Sequence, residues 1–384
     1  MSNTYDAIVL GVGGFGSAAC YHLAQRGVRV LGLEQFTCAH DRGSSHGDTR
    51  IIRLAYFEHP DYVPLLRRAY ELWADLEAAS QRPLFCRARL LLAGPPQGET
   101  IRGALEAARL HGLIVHHLAP EEARREFPGI EVPDHFAAVL EPDAGFLFVE
   151  DCVRTHWDNA VACGAELRSG IAVREWAVDG HGVRVRTNAG DFRAATLVVT
   201  TGAWSGAMLR DLGLPLTVVR KFVGWFRTEE RAYHVDRGYP TFYFEQPDGA
   251  FYGFPSLDGK SIKVAEHTGG AVVPDPMTVD RTCRDADVVR LTTFLQQVLP
   301  RATAQLVRHS VCLYTLTPDR HFVIDRHPQF PQVWFAAGFS GHGFKFTSVL
   351  GEALADLACT GRTALPIDFL RLSRLGLDAS AQRR

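Results

Sequence analysis

The hexapeptide Gly11-Val12-Gly13-Gly14-Phe15-Gly16 limits what this chain can fold into more than any other feature. It matches G-x-G-x-x-G and lies between an apolar run (YDAIVLGV, residues 5–12) and a helical pattern from Ser17 to Arg26 that Gly27 closes. A second apolar run, Val28 to Leu33, ends at Glu34. Strand, glycine turn, helix and strand make a β-α-β unit of the dinucleotide-binding kind. Gly11 permits the tight turn, Gly13 lets backbone approach a pyrophosphate, and Gly16 lets helix and strand pack closely. The phosphates sit at the helix N-terminus, where free N–H groups favour anions. Glu34 follows Gly11 by 23 residues and is placed to accept from ribose hydroxyls. The fingerprint suits NAD and FAD equally, and a glycine-rich turn without ligand is the bland alternative.

A chain of 384 residues that is 46% hydrophobic buries a large core and is expected to form more than one domain. A net charge of -2 argues against a nucleic-acid partner. No apolar stretch reaches membrane length, Met1 to Gly16 lack a basic leader, and Ala381-Gln382-Arg383-Arg384 is not a peroxisomal address. A cytoplasmic protein without a membrane partner is expected. The eight cysteines are scattered and form no C-x-x-C pair, so neither a metal site nor a disulfide framework is expected. Lysine is scarce: Lys221, Lys260, Lys263 and Lys345 are the only four among 41 basic residues. Such residues are enriched where a compact ammonium cannot be exchanged for a planar guanidinium, although any one of them alone fits an ordinary surface position.

Helical patterns cover residues 61–78, 150–163, 284–299 and about 346–359. Residues 166–200 read as alternating strands, and residues 215–268 are strand-rich and aromatic, with turns at Pro247-Asp248-Gly249 and Asp258-Gly259. Strand–helix material stands at both ends of the chain. The expected fold class is therefore α/β: a Rossmann-type nucleotide domain in three segments (1–84, 145–214 and 310–384) with an inserted strand-rich substrate domain (85–144 and 215–309).

Three further constellations carry chemistry. In Ser45-His46-Gly47-Asp48-Thr49-Arg50-Ile51-Ile52-Arg53, two arginines stand three apart. At helical spacing both face one site and suit a carboxylate, or both are solvated at a helix start. In Val311-Cys312-Leu313-Tyr314-Thr315, alternation puts Cys312 and Tyr314 on one strand face. For a lone cysteine the ordinary reading is a buried inert thiol. In Gly338-Phe339-Ser340-Gly341-His342-Gly343-Phe344-Lys345-Phe346, a glycine-rich turn and a lysine make a cradle for negative charge.

Together with YGFPS (252–256) and IKVAEHT (262–268), these segments resemble the monomeric sarcosine oxidase and N-methyltryptophan oxidase family, nearly end to end from Tyr5 to about Arg374. The resemblance implies FAD joined to a cysteine, here Cys312. It implies that Lys263 promotes the reaction of reduced flavin with oxygen, that His267 is an active-site histidine, that Arg50 is a second basic residue beside the flavin, and that Tyr314 acts with these three in catalysis. It implies that Arg53 and Lys345 hold the substrate carboxylate, and that Tyr243, Tyr252 and Tyr314 line the substrate cavity. His46, Thr49, Val173, Gly341, His342 and Gly343 are expected at the flavin.

The expected activity is oxidation of a small N-methyl amino acid by O2, sarcosine first, by a protein that acts as a monomer. Alternatives are a bulkier N-alkyl amino acid, a cyclic imino acid, N-methyltryptophan or, in another class, a NAD(P)-dependent dehydrogenase. Leu54 and Phe57 depart from the histidine and glycine that resembling sequences usually carry, and Tyr243 replaces a smaller or more flexible residue. Phe57 therefore narrows the site or stacks on a larger substrate.

Overall fold

The computed structural model describes residues 4–377, so Met1 and the segment holding Ala381 to Arg384 lie outside the described residues. The first strand, β1 (Thr4–Leu10), runs into helix α1 (Gly14–Gln25), which is followed by β2 (Val30–Leu33). These are the apolar runs and the helix read from the sequence. β1 pairs in parallel with β2 on one side and with Gly190–Val199 on the other, in the registers Val9–Gly32 and Val9–Val198. Val333–Ala337 adds a further parallel strand beyond Gly190–Val199, and Glu166–Arg168 extends the sheet beyond β2. Ile8, Val9 and Leu10 are fully buried. A parallel strand is covered on both faces and needs no polar alternation. The helices α1, Val149–Ala162 and Thr347–Thr360 pack together against this sheet.

The second sheet has nine strands and holds most of the aromatic middle of the chain. Thr217–Arg227, Ser261–Glu266, Gly249–Phe254 and Thr241–Gln246 lie side by side in antiparallel pairing. Leu90–Gly94 and Ala137–Glu141 continue it. The long strand Leu306–Leu316 joins its edge through Thr217–Arg227, so residue 310 falls inside a strand of this sheet. Phe242, Phe244, Phe251 and Phe294 form its aromatic core.

Residues 49–52 form an extended strand, β3 (Thr49–Ile52), paired antiparallel with Gly145–Phe148, and not the helical spacing expected from the two arginines. The β-branched pair Ile51-Ile52 suits a strand. Arg53 lies just beyond its end, and the helix α2 (Tyr62–Ser80) begins nine residues later.

Candidate active site

A cavity is lined by residues of both the first and the second sheet. Of the residues singled out in the sequence, Gly11, Gly13, Glu34, Arg50, Arg53, Val173, Tyr243, Tyr252, His267, Tyr314, Gly341, His342, Gly343 and Lys345 line it. Gly16, His46, Thr49, Lys263 and Cys312 are not among its lining residues.

At the nucleotide end the wall is mostly backbone. Gly11 has φ of +80, and a Cβ at Gly16 would stand 1.9 Å from the Gly11 carbonyl, so only glycine closes this turn. A Cβ at Gly13 meets nothing within 4 Å, which leaves open space over the helix N-terminus. The Glu34 carboxylate accepts from the amides of Val12 (2.9 Å) and Phe36 (3.0 Å), which fixes its direction.

In the middle, Cys312 stands on Leu306–Leu316 among cations. The Arg50 guanidinium is 3.2 Å from its sulfur and His46 Nδ1 is 3.9 Å away. Burial alone would raise the thiol, but the His46 and Arg50 charges overcome it and bring Cys312 down to about 6. Its neighbourhood therefore holds a thiolate rather than an inert thiol. Arg50 is fixed by the carbonyls of Thr49 and Ser44, each at 2.9 Å. Lys263 donates to the carbonyl of Gly47 (2.5 Å) and to the carbonyl (2.8 Å) and hydroxyl (2.9 Å) of Thr49. Burial and Arg50 push the Lys263 ammonium toward losing its proton. Three oxygen acceptors oppose that, since an ammonium has three protons to donate.

At the far end, Arg53 is buried and its Nη2 is 2.5 Å from Glu58 Oε2, while Nη1 donates to the Ala55 carbonyl at 2.8 Å. The guanidinium lies over the rings of Phe57 (3.9 Å) and Tyr56 (4.2 Å). Against the cost of burial, the Arg53 and Lys345 charges hold Glu58 down to about 2. Lys345 donates to the His342 carbonyl at 2.7 Å, and burial with the nearby Arg53 charge lowers it to about 7. His342 is lowered to about 4, chiefly by burial, so its ring is neutral. Its Nε2 donates to the Arg320 carbonyl (2.8 Å), leaving Nδ1 to accept from the Tyr56 hydroxyl (2.5 Å). Gly341, with φ of +83, packs flat on Tyr314, where a Cβ would stand 2.2 Å from the ring.

A continuous row of rings joins these parts. Phe57 meets Tyr243 (5.1 Å between centroids), Tyr243 meets His267 (5.8 Å), and His267 meets Tyr314 (5.7 Å). The row ends at Lys221, whose Nζ lies 5.2 Å from the centre of the Tyr314 ring. Burial, then the Lys221 charge, lowers His267 to about 3, so this ring is neutral too. Lys221 is 4% exposed and donates to the carbonyls of Thr268 (2.5 Å) and Gly269 (3.2 Å). Sequence reasoning gave no role to Lys221, Glu58 or Glu141. The scarcity of lysine was the one signal that pointed to Lys221.

Residues 6–357 match the family model described as "FAD dependent oxidoreductase". This chain belongs to that family. It is similar to a monomeric sarcosine oxidase of Arthrobacter sp., 42% identical over 379 residues, with 97% of each chain covered. It is also similar to an N-methyl-L-tryptophan oxidase of Citrobacter koseri, 34% identical over 372 residues, covering 96% of this chain and 99% of the other. Among solved structures, the open form of NikD, an unusual amino acid oxidase essential for nikkomycin biosynthesis, aligns with a TM-score of 0.84 at 27% identity, covering 96% of this chain and 97% of that one.

The residues of this FAD dependent oxidoreductase fit its cofactor. Two cavity-lining groups, Trp204 Nε1 and Thr315 Oγ1, are buried without a hydrogen-bond partner among the described residues. Buried polar groups seldom remain unpaired, and a polar ligand in the cavity would satisfy both. The glycine turn and Glu34 are shaped for the nucleotide part of FAD, and the cationic middle of the cavity suits an electron-rich ring system. No helix among the described residues is long and apolar enough to cross a membrane.

Proposed function

We propose that this enzyme oxidises sarcosine and similarly compact N-alkyl amino acids, converting sarcosine, O2 and water into glycine, formaldehyde and hydrogen peroxide. The observation that carries this reading is the pairing of two buried cations, Arg53 and Lys345, with a neutral aromatic wall at one end of the cavity. Two desolvated cations attract one carboxylate strongly. A wall of Tyr243, Tyr252, Tyr314 and neutral His267 tolerates an amine without competing for its proton.

FAD supplies the two-electron acceptor that O2 later restores. The protein supplies position and field. Arg53 and Lys345 fix the carboxylate, and a gain from orientation follows because the amine end can then point only along the cavity. Glu58 occupies Arg53 in this structure, so a substrate carboxylate has to take its place. Lys263 and Arg50 set positive charge beside the reaction, which favours electron transfer to O2, a step that builds negative charge. Cys312, held as a thiolate, is the residue we assign to covalent attachment of FAD. We also assign the protein a monomeric, cytoplasmic existence, and His46, Thr49, Val173, Gly341 and Gly343 a place against the flavin.

The Phe57–Tyr243 contact narrows the outer part of the wall, which supports compact substrates over N-methyltryptophan. Peroxide release from sarcosine, N-methylalanine, proline and N-methyltryptophan, with formaldehyde from the three N-methyl substrates, tests the reading. The highest kcat/KM is expected for sarcosine. A clear preference for N-methyltryptophan, or no turnover of any of the four, would overturn it.

A further inference from the structure

We propose that Glu141 is a positioning residue for substrate binding: its carboxylate grips the backbone of the loop that carries Arg53 and so sets where the guanidinium stands. This rests on the reading of Arg53 as a carboxylate holder. Glu141 ends the strand Ala137–Glu141 in the large sheet and is 2% exposed. It does not line the cavity. Its Oε1 accepts from the amide of Leu54 at 2.5 Å and its Oε2 from the amide of Ala55 at 3.0 Å. The carbonyl of the same Ala55 accepts from Arg53 Nη1 at 2.8 Å. One residue is therefore held at its N–H by Glu141 and holds Arg53 with its C=O.

The position is costly to fill with an acid. Burial raises Glu141 to about 7, against the pull of the two amides and the Arg53 charge, and Asp143 adds repulsion. An acid is buried at tolerable cost only where its oxygens are paired. What an apolar side chain cannot do is accept from two consecutive amides. Those amides follow the end of β3, where ladder pairing to Gly145–Phe148 has stopped, so Glu141 supplies the acceptors that the sheet no longer provides. Without it, residues 54–55 lose the anchor that ties them to the large sheet, and Arg53 gains rotational freedom that a bound carboxylate would have to remove.

The test is a double-mutant cycle on the FAD-loaded enzyme, with acetate as the carboxylate probe, followed by inhibition of sarcosine oxidation and by the flavin spectrum. Glu141→Gln keeps the shape but offers only one acceptor. It is expected to weaken acetate binding about tenfold and to raise KM for sarcosine by a similar factor, with kcat changed less than about threefold; on an Arg53→Ala background the same change should add less than about twofold, because coupled residues do not add. Should the Gln variant not load FAD, Glu141→Asp, whose oxygens fall short of both amides, replaces it with the same expectation. Unchanged acetate binding, or an equal loss on both backgrounds, would overturn the proposal, since a merely structural role acts with or without Arg53. If wild-type enzyme neither oxidises sarcosine nor binds acetate, the functional reading fails first, and this inference falls with it.

Discussion

At the nucleotide end the cavity presents backbone: the turn at Gly11 to Gly16 and one acid, Glu34, tied down by two amides. At the other end it presents charged side chains from separate segments, Arg53 and Glu58 from the loop after β3 and Lys345 from the last glycine turn. Backbone recognition needs little beyond glycine in the right places, and the one buried acid there is paired by two amides. Recognition by buried charge needs partners for every ion, because an unpaired one costs several kcal/mol. Cys312 and Lys263 lie between the two ends and borrow from both: Lys263 is held by main-chain carbonyls, and Cys312 by neighbouring cations. One end can thus be read as a motif, while the other works only as an assembly.

The sharpest way to break this contrast is at Cys312. Cys312→Ser should move the flavin released on acid precipitation from none to all, while the glycine cradle still binds it. Yellow colour retained in the precipitated mutant would mean that another residue carries the attachment. Next is Lys263. Lys263→Met should slow reoxidation of reduced enzyme by about two orders of magnitude or more, with anaerobic reduction by sarcosine falling less. Stopped-flow traces with the opposite pattern would move Lys263 from oxygen to substrate.

Smaller effects are expected at the carboxylate end. Arg53→Ala should weaken acetate binding by about 2–5 kcal/mol, the usual cost of truncating one member of a desolvated charge pair. Equal acetate affinity in mutant and wild type would remove Arg53 from the site. Lys345 gives a milder, pH-dependent signature. Its folded value is lowered to about 7, so the ammonium that attracts a carboxylate is present below that pH and lost above it. Acetate affinity should fall roughly 3–10-fold as pH rises from 6 to 8, and the fall should vanish in Lys345→Met. A fall that persists in the mutant would point to another group, Lys221 among them.

Much of the nucleotide end was legible because its function rests on local geometry. Glycine spacing between a strand and a helix needs no distant partner to be read. Arg53, Lys345, Lys263 and Cys312 were singled out by resemblance and not by spacing. Spacing alone misled at Arg50 and Arg53: three residues apart suggested one helical face, yet a strand carries Arg50 toward Cys312, and the chain turns before Arg53 reaches Glu58. Glu141 gave no sequence signal because it acts on a loop 87 residues earlier in the chain. Lys221 and Glu58 likewise owe their burial to neighbours brought in by the fold, the turn at Thr268-Gly269 for one and Arg53 for the other.

The most direct test of the whole account is anaerobic mixing of the FAD-loaded enzyme with sarcosine, followed by readmission of O2. The account predicts full bleaching of the oxidised flavin absorbance, formaldehyde in equal amount to the flavin reduced, and recovery of the spectrum with one hydrogen peroxide per flavin when O2 returns. A flavin that stays oxidised under saturating sarcosine, or that bleaches but does not recover in air, would contradict it.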